Sequence, residues 1–156
     1  MAAVTHRRLS TFLRTAPCLL AAAAGFTGSS AHADDRWATL QAIHTLENPY
    51  DVQTPGPDGE LGPYQFREAT WRRYTAEPFS RALDRDMSDA VAIRHYEWLK
   101  RGLARHGLPA TPYNIALAWN GGLSAVLSGR PSSAAVDYAE RAANLAAEFD
   151  SGVAAR

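Results

Sequence analysis

Cysteine is almost missing from this chain of 156 residues, and Cys18 is the only one. A lone cysteine leaves no intrachain disulfide and no paired thiolate site for a metal. Strand signals are missing too. No run of alternating apolar and polar residues reaches strand length, and there is no internal repeat or long low-complexity segment after residue 33. Charge of one sign is not in excess: 16 Lys+Arg balance 16 Asp+Glu. No Ser-His-Asp pattern and no phosphate-cradling glycine loop stands out. The five histidines offer no metal set. His6 and His32 lie near the N-terminus, His44 stands alone beside Glu47, and His95 and His106 are 11 residues apart on one expected helix, too far for joint ligation. No metal and no cofactor is therefore expected.

The N-terminus supplies the first positive signal. Arg7, Arg8 and Arg14 precede an uncharged apolar or small-residue run, TAPCLLAAAAGFTG at 15–28, and Ala31-His32-Ala33 follows. This is the three-part anatomy of a secretory signal peptide, with cleavage expected after residue 33. The run is short for a membrane span. Thr15-Ala16-Pro17 before Cys18 lacks the leucine usual at a lipid-anchor site. The expectation is an exported, periplasmic or extracellular protein with no stable membrane insertion after cleavage. Removing 33 of the 156 residues leaves 123, enough for one core. All 16 acids remain with 13 of the 16 basic residues, for a formal charge of −3. That balance gives no electrostatic reason to bind nucleic acid or anionic lipid.

Helical signals fill the rest. Asp34 or Asp35 is placed to cap a first helix ending near Glu47. Residues 48–63 (NPYDVQTPGPDGELGP) carry four prolines and three glycines, a loop or small hairpin. Further helices are expected over Gln65–Tyr74, briefly around Phe79–Leu83, and from Ser88 or Asp89 to about His106, the longest. In that longest helix Ala92, Tyr96, Leu99 and Leu103 form an apolar stripe, and Gly107 is placed to end it. Thr111-Pro112 is a strong start signal, a capping hydroxyl followed by proline at the first helical position. The helix it opens, Pro112–Asn120, is apolar nearly all round and belongs in the middle of the domain. Gly121-Gly122 ends it. A short helix at Leu123–Leu127 and a last one from Ser132 or Ser133 to about Phe149 follow, and the tail 151–156 is expected to fray. The fold class is mainly α: one compact helical domain over 34–150, with a Pro/Gly-rich loop after its first helix.

One residue is out of place in that scheme. On a helical wheel of RWATLQAIHTLEN (36–48), Trp37, Leu40, Ile43 and Leu46 share one half of the circle, and Glu47 falls in the middle of it. A carboxylate among apolar groups is costly when ionised, so its pKa rises and it stays protonated. A neutral carboxylic acid at neutral pH can act as a general acid. The alternative is that Glu47, at a helix end, turns to solvent or pairs with an arginine.

Two further stretches bear on that choice, ELGPYQF at 60–66 and ALAWNGGLSAV at 116–126. In this order after an acid-ended helix, they resemble the lysozyme-like lytic transglycosylases (SLT domain) and the related goose-type lysozymes. In that family a helix ends at the catalytic glutamate, a loop leads to Gly-Leu-Met-Gln, and a later buried helix ends in Ala-Tyr-Asn-Ala-Gly. Glu47 takes the glutamate position, with Asn48 where serine is usual. Gly62-Pro63-Tyr64-Gln65 takes the second motif, and Ala118-Trp119-Asn120-Gly121-Gly122 the third. Tyr138 matches a tyrosine early in the family's last helix. The resemblance spans about 36–146. Pro63-Tyr64 for Leu-Met, Trp119 for tyrosine and Asn48 for serine depart from the pattern.

The resemblance implies a lysozyme-like fold and cleavage of the β-1,4 bond between N-acetylmuramic acid and N-acetylglucosamine in peptidoglycan glycan strands, with Glu47 as acid and base. It implies substrate binding by Tyr64, Gln65, Trp119 and Asn120, with Tyr138 orienting Glu47. Structural roles compete for three of these: Trp119 as core, Asn120 as a helix cap, Tyr64 packed under the loop. A hydrolase would want a second carboxylate. Asp51, Asp58 and Glu60 lie 4, 11 and 13 residues beyond Glu47, and Glu60 and Asp58 are the candidate helpers. A hydrolase of the same fold, a non-catalytic peptidoglycan-binding module and a helical partner-binding domain are the rival readings. Envelope protein partners are not specified by the sequence.

Overall fold

A computed structural model describes residues 30–154 of the chain, with side chains over 35–152. Residues 1–29 of the expected leader 1–33 lie outside the described residues, and the expected cleavage motif at 31–33 falls in the first turns of a helix. Among the described residues six α-helices follow one another: α1 Ser30–Glu47, α2 Glu68–Trp71, α3 Arg85–Ala104, α4 Pro112–Gly121, α5 Leu123–Leu127 and α6 Ser133–Ala154. A 3-10 helix, Phe79–Leu83, joins α2 to α3. Among the described residues there is no strand, only one isolated antiparallel bridge between Leu61 and Phe66. No described helix is long and apolar enough to cross a membrane.

Local chemistry sets most of these ends. Thr111 accepts from the Asn114 backbone N–H and Pro112 opens α4 as expected. Asp84 caps α3 by accepting from Met87 N, so α3 begins three residues before Ser88. Its C-terminus closes on Gly107 at φ 71°, with Leu108 N–H bonded to Leu103 O and Gly107 N–H to Ala104 O. Ser132 Oγ accepts from Ala135 N and starts α6.

Four expectations need correction. Helix α1 begins at Ser30, so neither Asp34 nor Asp35 is its cap. Helix α2 is four residues long, not ten, because Gln65 and Phe66 belong to the turn and bridge that precede it. Helix α6, at 22 residues, is longer than α3 at 20 and continues through Ala154 across the tail expected to fray. Trp37, placed on the buried half of the α1 wheel, is 48% exposed and rests edge-on against Phe149, with ring centroids 6.1 Å apart.

Helix α4 is central. It packs on α6, α5, α3 and α1, and Ile115, Ala116, Leu117 and Ala118 are all buried. The main core joins Leu40 and Ile43 of α1 to Phe66, Trp71 and the α3 stripe Ala92, Tyr96, Leu99, Leu103. Helix α6 lies along α4 and α1 through buried alanines 135, 139, 142 and 146. These small side chains let the helices approach closely, and that approach brings Tyr138 of α6 to the end of α1.

Candidate active site

The end of α1, the loop that follows it, α2, the middle of α3 and the end of α4 line a cleft of about 590 Å3. Glu47 lies in its wall, as the last residue of α1. The carboxyl is half-buried and its Oε1 accepts from the Tyr138 hydroxyl at 2.8 Å, across 91 residues of sequence. Burial raises the Glu47 pKa above the ordinary 4.5. The Tyr138 hydrogen bond opposes that rise, and the charge of Glu60 adds to it. No arginine pairs with Glu47 among the described residues. Tyr138 is itself pushed upward by burial and by the Glu47 charge, so its phenol stays a donor.

The loop is held by Asn48, which is 4% exposed. Its amide nitrogen donates to Val52 O and Gly62 O, and its Oδ1 accepts from Val52 N. Asn48 is thus a clamp for the loop, and its amide is fully engaged. His44, one turn back on α1, accepts from Arg85 through Nδ1 at 3.1 Å. Its Nε2 therefore carries the hydrogen and donates to Asp51 Oδ1 at 2.8 Å. Asp51 is tied to the back of the loop by this bond and does not line the cleft.

Gly62 to Gln65 form a turn. Gln65 takes φ 44°, unusual for a residue with a side chain, and its amide Nε2 donates to Gly62 O at 2.9 Å. Its Oε1 lies against Gly56, 2.8 Å from where a Cβ on that glycine would stand. Glu60 also lines the cleft, but both carboxylate oxygens have partners: Asp58 N donates to Oε2 at 3.0 Å and Arg67 Nε to Oε1 at 3.2 Å. Its own backbone N–H, then that of Asp58, then the Arg67 guanidinium hold Glu60 below the usual carboxylate range against the opposing effect of burial. Arg67 also bonds Asp58 Oδ2 at 2.6 Å. The pKa values of the two carboxyls in the cleft wall are thus pushed in opposite directions, that of Glu47 upward and that of Glu60 downward.

Of the residues singled out in the sequence for this site, Glu47, Asp58, Glu60, Tyr64, Gln65, Trp119 and Asn120 line the cleft; Asp51 and Asn48 do not, and Tyr138 supports Glu47 from behind. The structural alternatives are decided residue by residue. Tyr64 is 2% exposed and its hydroxyl donates to Asp89 at 2.7 Å, so it packs under the loop and offers only an edge. Trp119 does both jobs: it is half-buried against the main core, within 6.0 Å of Tyr64 and 5.8 Å of Phe66 by ring centroid, and still meets the cleft. Asn120 is exposed at the rim, and α4 runs one residue past it to Gly121. Two residues were missed. Arg67 escaped because its partners are seven and nine residues away in a loop. His95 was weighed only as a metal ligand, although it lies in the cleft wall. Among the described residues no cluster of His, Cys, Asp and Glu is set to hold a metal.

Comparison with known protein families, curated proteins and solved structures gave no match to this chain.

Proposed function

We propose that this protein is an exported, lysozyme-like lytic transglycosylase that cleaves the MurNAc-β-1,4-GlcNAc bond of peptidoglycan, acting in the periplasm or outside the cell. The observation that carries the proposal is the state of Glu47. It is a carboxyl in the wall of a cleft, its pKa raised by burial, oriented by Tyr138 and free of any cationic partner among the described residues. The order of motifs along the sequence supports the same reading.

In this reading Glu47 gives its proton to the glycosidic oxygen as the bond to C1 of the muramic sugar breaks. The carboxylate left behind takes the proton of that sugar's 6-hydroxyl. The 6-oxygen closes on C1, a 1,6-anhydro ring forms, and Glu47 is restored as an acid. The sequence of steps needs one carboxyl and no water. The Gln65 and Asn120 amides offer hydrogen bonds to the glycan, and the Trp119 ring offers it an apolar wall.

The loop carboxylates favour a second reading, a goose-type hydrolase in which Glu60 or Asp58 activates water. The engagement of Glu60 by the Asp58 N–H and Arg67, and of Asp58 by Arg67, weighs against either as a free base.

The test is a digest of purified peptidoglycan read by mass spectrometry, with Glu47→Gln as control. Fragments ending in 1,6-anhydro-N-acetylmuramic acid, absent from the control, are expected. Products heavier by one water would move the assignment to the hydrolase. No product from the folded protein would overturn the enzyme and leave a binding module.

A further inference from the structure

His95 is a buried ring with one nitrogen still unclaimed. It lies on α3 between Val91 and Leu99, one turn from each, and is 9% exposed. Two rings hold its plane. Trp119 meets it edge-on at 4.6 Å between centroids and Trp98 stacks on it at 5.8 Å and 12°, while the Arg73 guanidinium lies over the Trp98 ring at 4.7 Å. Tyr74 bonds it in the ring plane, with 2.8 Å between the hydroxyl and Nδ1. A phenol is the better donor and a ring nitrogen the better acceptor, so Tyr74 donates. Nδ1 is then an acceptor, and the hydrogen of the neutral ring sits on Nε2.

Nε2 makes no hydrogen bond among the described residues. It is also not a sealed, unsatisfied atom, since Ser88 Oγ alone has that status among them. Its remaining access is the cleft that His95 helps to line. Burial, and then the Arg73 charge, push the His95 pKa down to about 4, so the ring presents a neutral donor over the physiological range.

We propose that His95 is a substrate-binding and specificity residue, whose Nε2–H donates to the acetamido carbonyl of an N-acetylated sugar while Trp119 packs against the acetamido methyl. This inference rests on the glycan reading above and deepens it. The chemistry selects the group. A neutral N–H donates and cannot accept from an ammonium, and the Glu47 and Glu60 carboxyls in the same cleft disfavour an anion, so an uncharged acceptor is its partner. An acceptor with a methyl beside it matches a donor with an indole beside it. Two devices outside the cleft hold the donor in place, the Tyr74 hydroxyl fixing the tautomer and Trp98 fixing the plane.

The test uses the full chain and two soluble probes, the tetramer of N-acetylglucosamine and its fully N-deacetylated counterpart. Binding by wild type, His95→Phe and His95→Gln is measured by calorimetry, and cleavage of peptidoglycan in parallel. His95→Phe is expected to bind the N-acetylated tetramer about tenfold more weakly, the loss of one well-aligned hydrogen bond to a desolvated carbonyl. His95→Gln, whose amide can reach the Nε2 position, is expected to recover most of that loss. The deacetylated tetramer should not distinguish wild type from His95→Phe, and in cleavage the loss should fall on KM rather than kcat. If His95→Phe does not fold, long-range 15N–1H imidazole spectra of wild type carry the test. The Nε2–H tautomer is expected, with the Nε2 resonance moving when the tetramer is added. Equal loss for both probes, an Nδ1–H tautomer, or an unmoved Nε2 resonance in the complex would overturn the inference. Cleavage that depends on Glu47 but not on His95 would overturn it while leaving the proposed function standing. Binding that depends on His95 without any cleavage would do the reverse. A folded wild type that neither binds nor cleaves would overturn both.

Discussion

Glu47 works under opposed influences, and each can be removed singly. Burial and the Glu60 charge raise its pKa, and the Tyr138 hydroxyl lowers it by favouring the carboxylate. A general acid loses its proton, and the reaction its rate, as pH rises through that pKa. Tyr138→Phe removes the lowering influence, so the alkaline limb of kcat/KM is expected to move to higher pH. Glu60→Gln removes a raising one, so the same limb is expected to move to lower pH. Profiles of the two variants on peptidoglycan check this, and movement in a common direction would assign the limb to another group. Glu47 also bears on stability. Above the ordinary 4.5 the folded protein holds a proton that the unfolded chain has released, so this group's contribution falls as pH rises. Glutamine keeps an oxygen for Tyr138 and has no charge to bury. Glu47→Gln is therefore expected to be inactive yet more stable than wild type at pH 7, with the gap closing as pH falls toward 4.5. Urea melts at several pH values measure the gap, and a less stable variant at pH 7 would contradict the burial argument.

The loop between α1 and α2 converges on Gly62, whose carbonyl accepts from the Asn48 amide and from both the backbone and side-chain nitrogens of Gln65. Its φ is 78°, and a Cβ there would lie 1.8 Å from Ala82 O in the 3-10 helix. Gly62→Ala is expected to cost at least about 1–2 kcal/mol from the left-handed backbone alone. The clash adds to that and displaces the turn that aims Gln65, so kcat/KM should fall as well. Urea melts with the peptidoglycan assay check both, and an unchanged midpoint would mean that the 3-10 helix gives way freely. The same loop marks where the sequence stopped being legible. Helices α4 and α5 could be read to within a residue because Thr111-Pro112 and the glycines after them act locally. Helix α2 could not, because Phe66 pairs with Leu61 and Gln65 turns back on Gly62, and those partners are set by the tertiary fold. The wheel of α1 placed Leu40 and Ile43 correctly and Trp37 wrongly, since α6 covers only part of the apolar half. The link from Tyr138 to Glu47 is invisible to any local pattern and came from the resemblance alone. His95 did leave a signal: with Val91 and Leu99 it repeats every four residues on the inner face of α3.

At the scale of the whole molecule, these two buried titratable groups give stability a shape in pH. His95 has an ordinary value of 6.5 and a folded value of about 4. Between those limits the unfolded chain takes up a proton that the folded ring refuses, so stability falls as pH falls. A shift of this size corresponds to roughly 3 kcal/mol once the pH is below both values. Glu47 acts in the opposite sense, contributing most at low pH. The wild-type profile is a sum of the two, and a single curve cannot separate them. A difference can. His95→Gln carries no titrating ring, so subtracting its urea-melt stability from that of wild type, pH by pH, cancels Glu47 and leaves the histidine. The difference is expected to be flat from pH 8 to about 7 and then to turn against wild type, by roughly 3 kcal/mol by pH 4. The packing lost with the ring offsets the whole curve without changing its slope. A difference that stayed flat to pH 4 would mean that the folded ring takes up its proton normally. The cleft would then be wet at Trp119, and both the neutral donor and the dry wall assigned to that side of it would have to be given up.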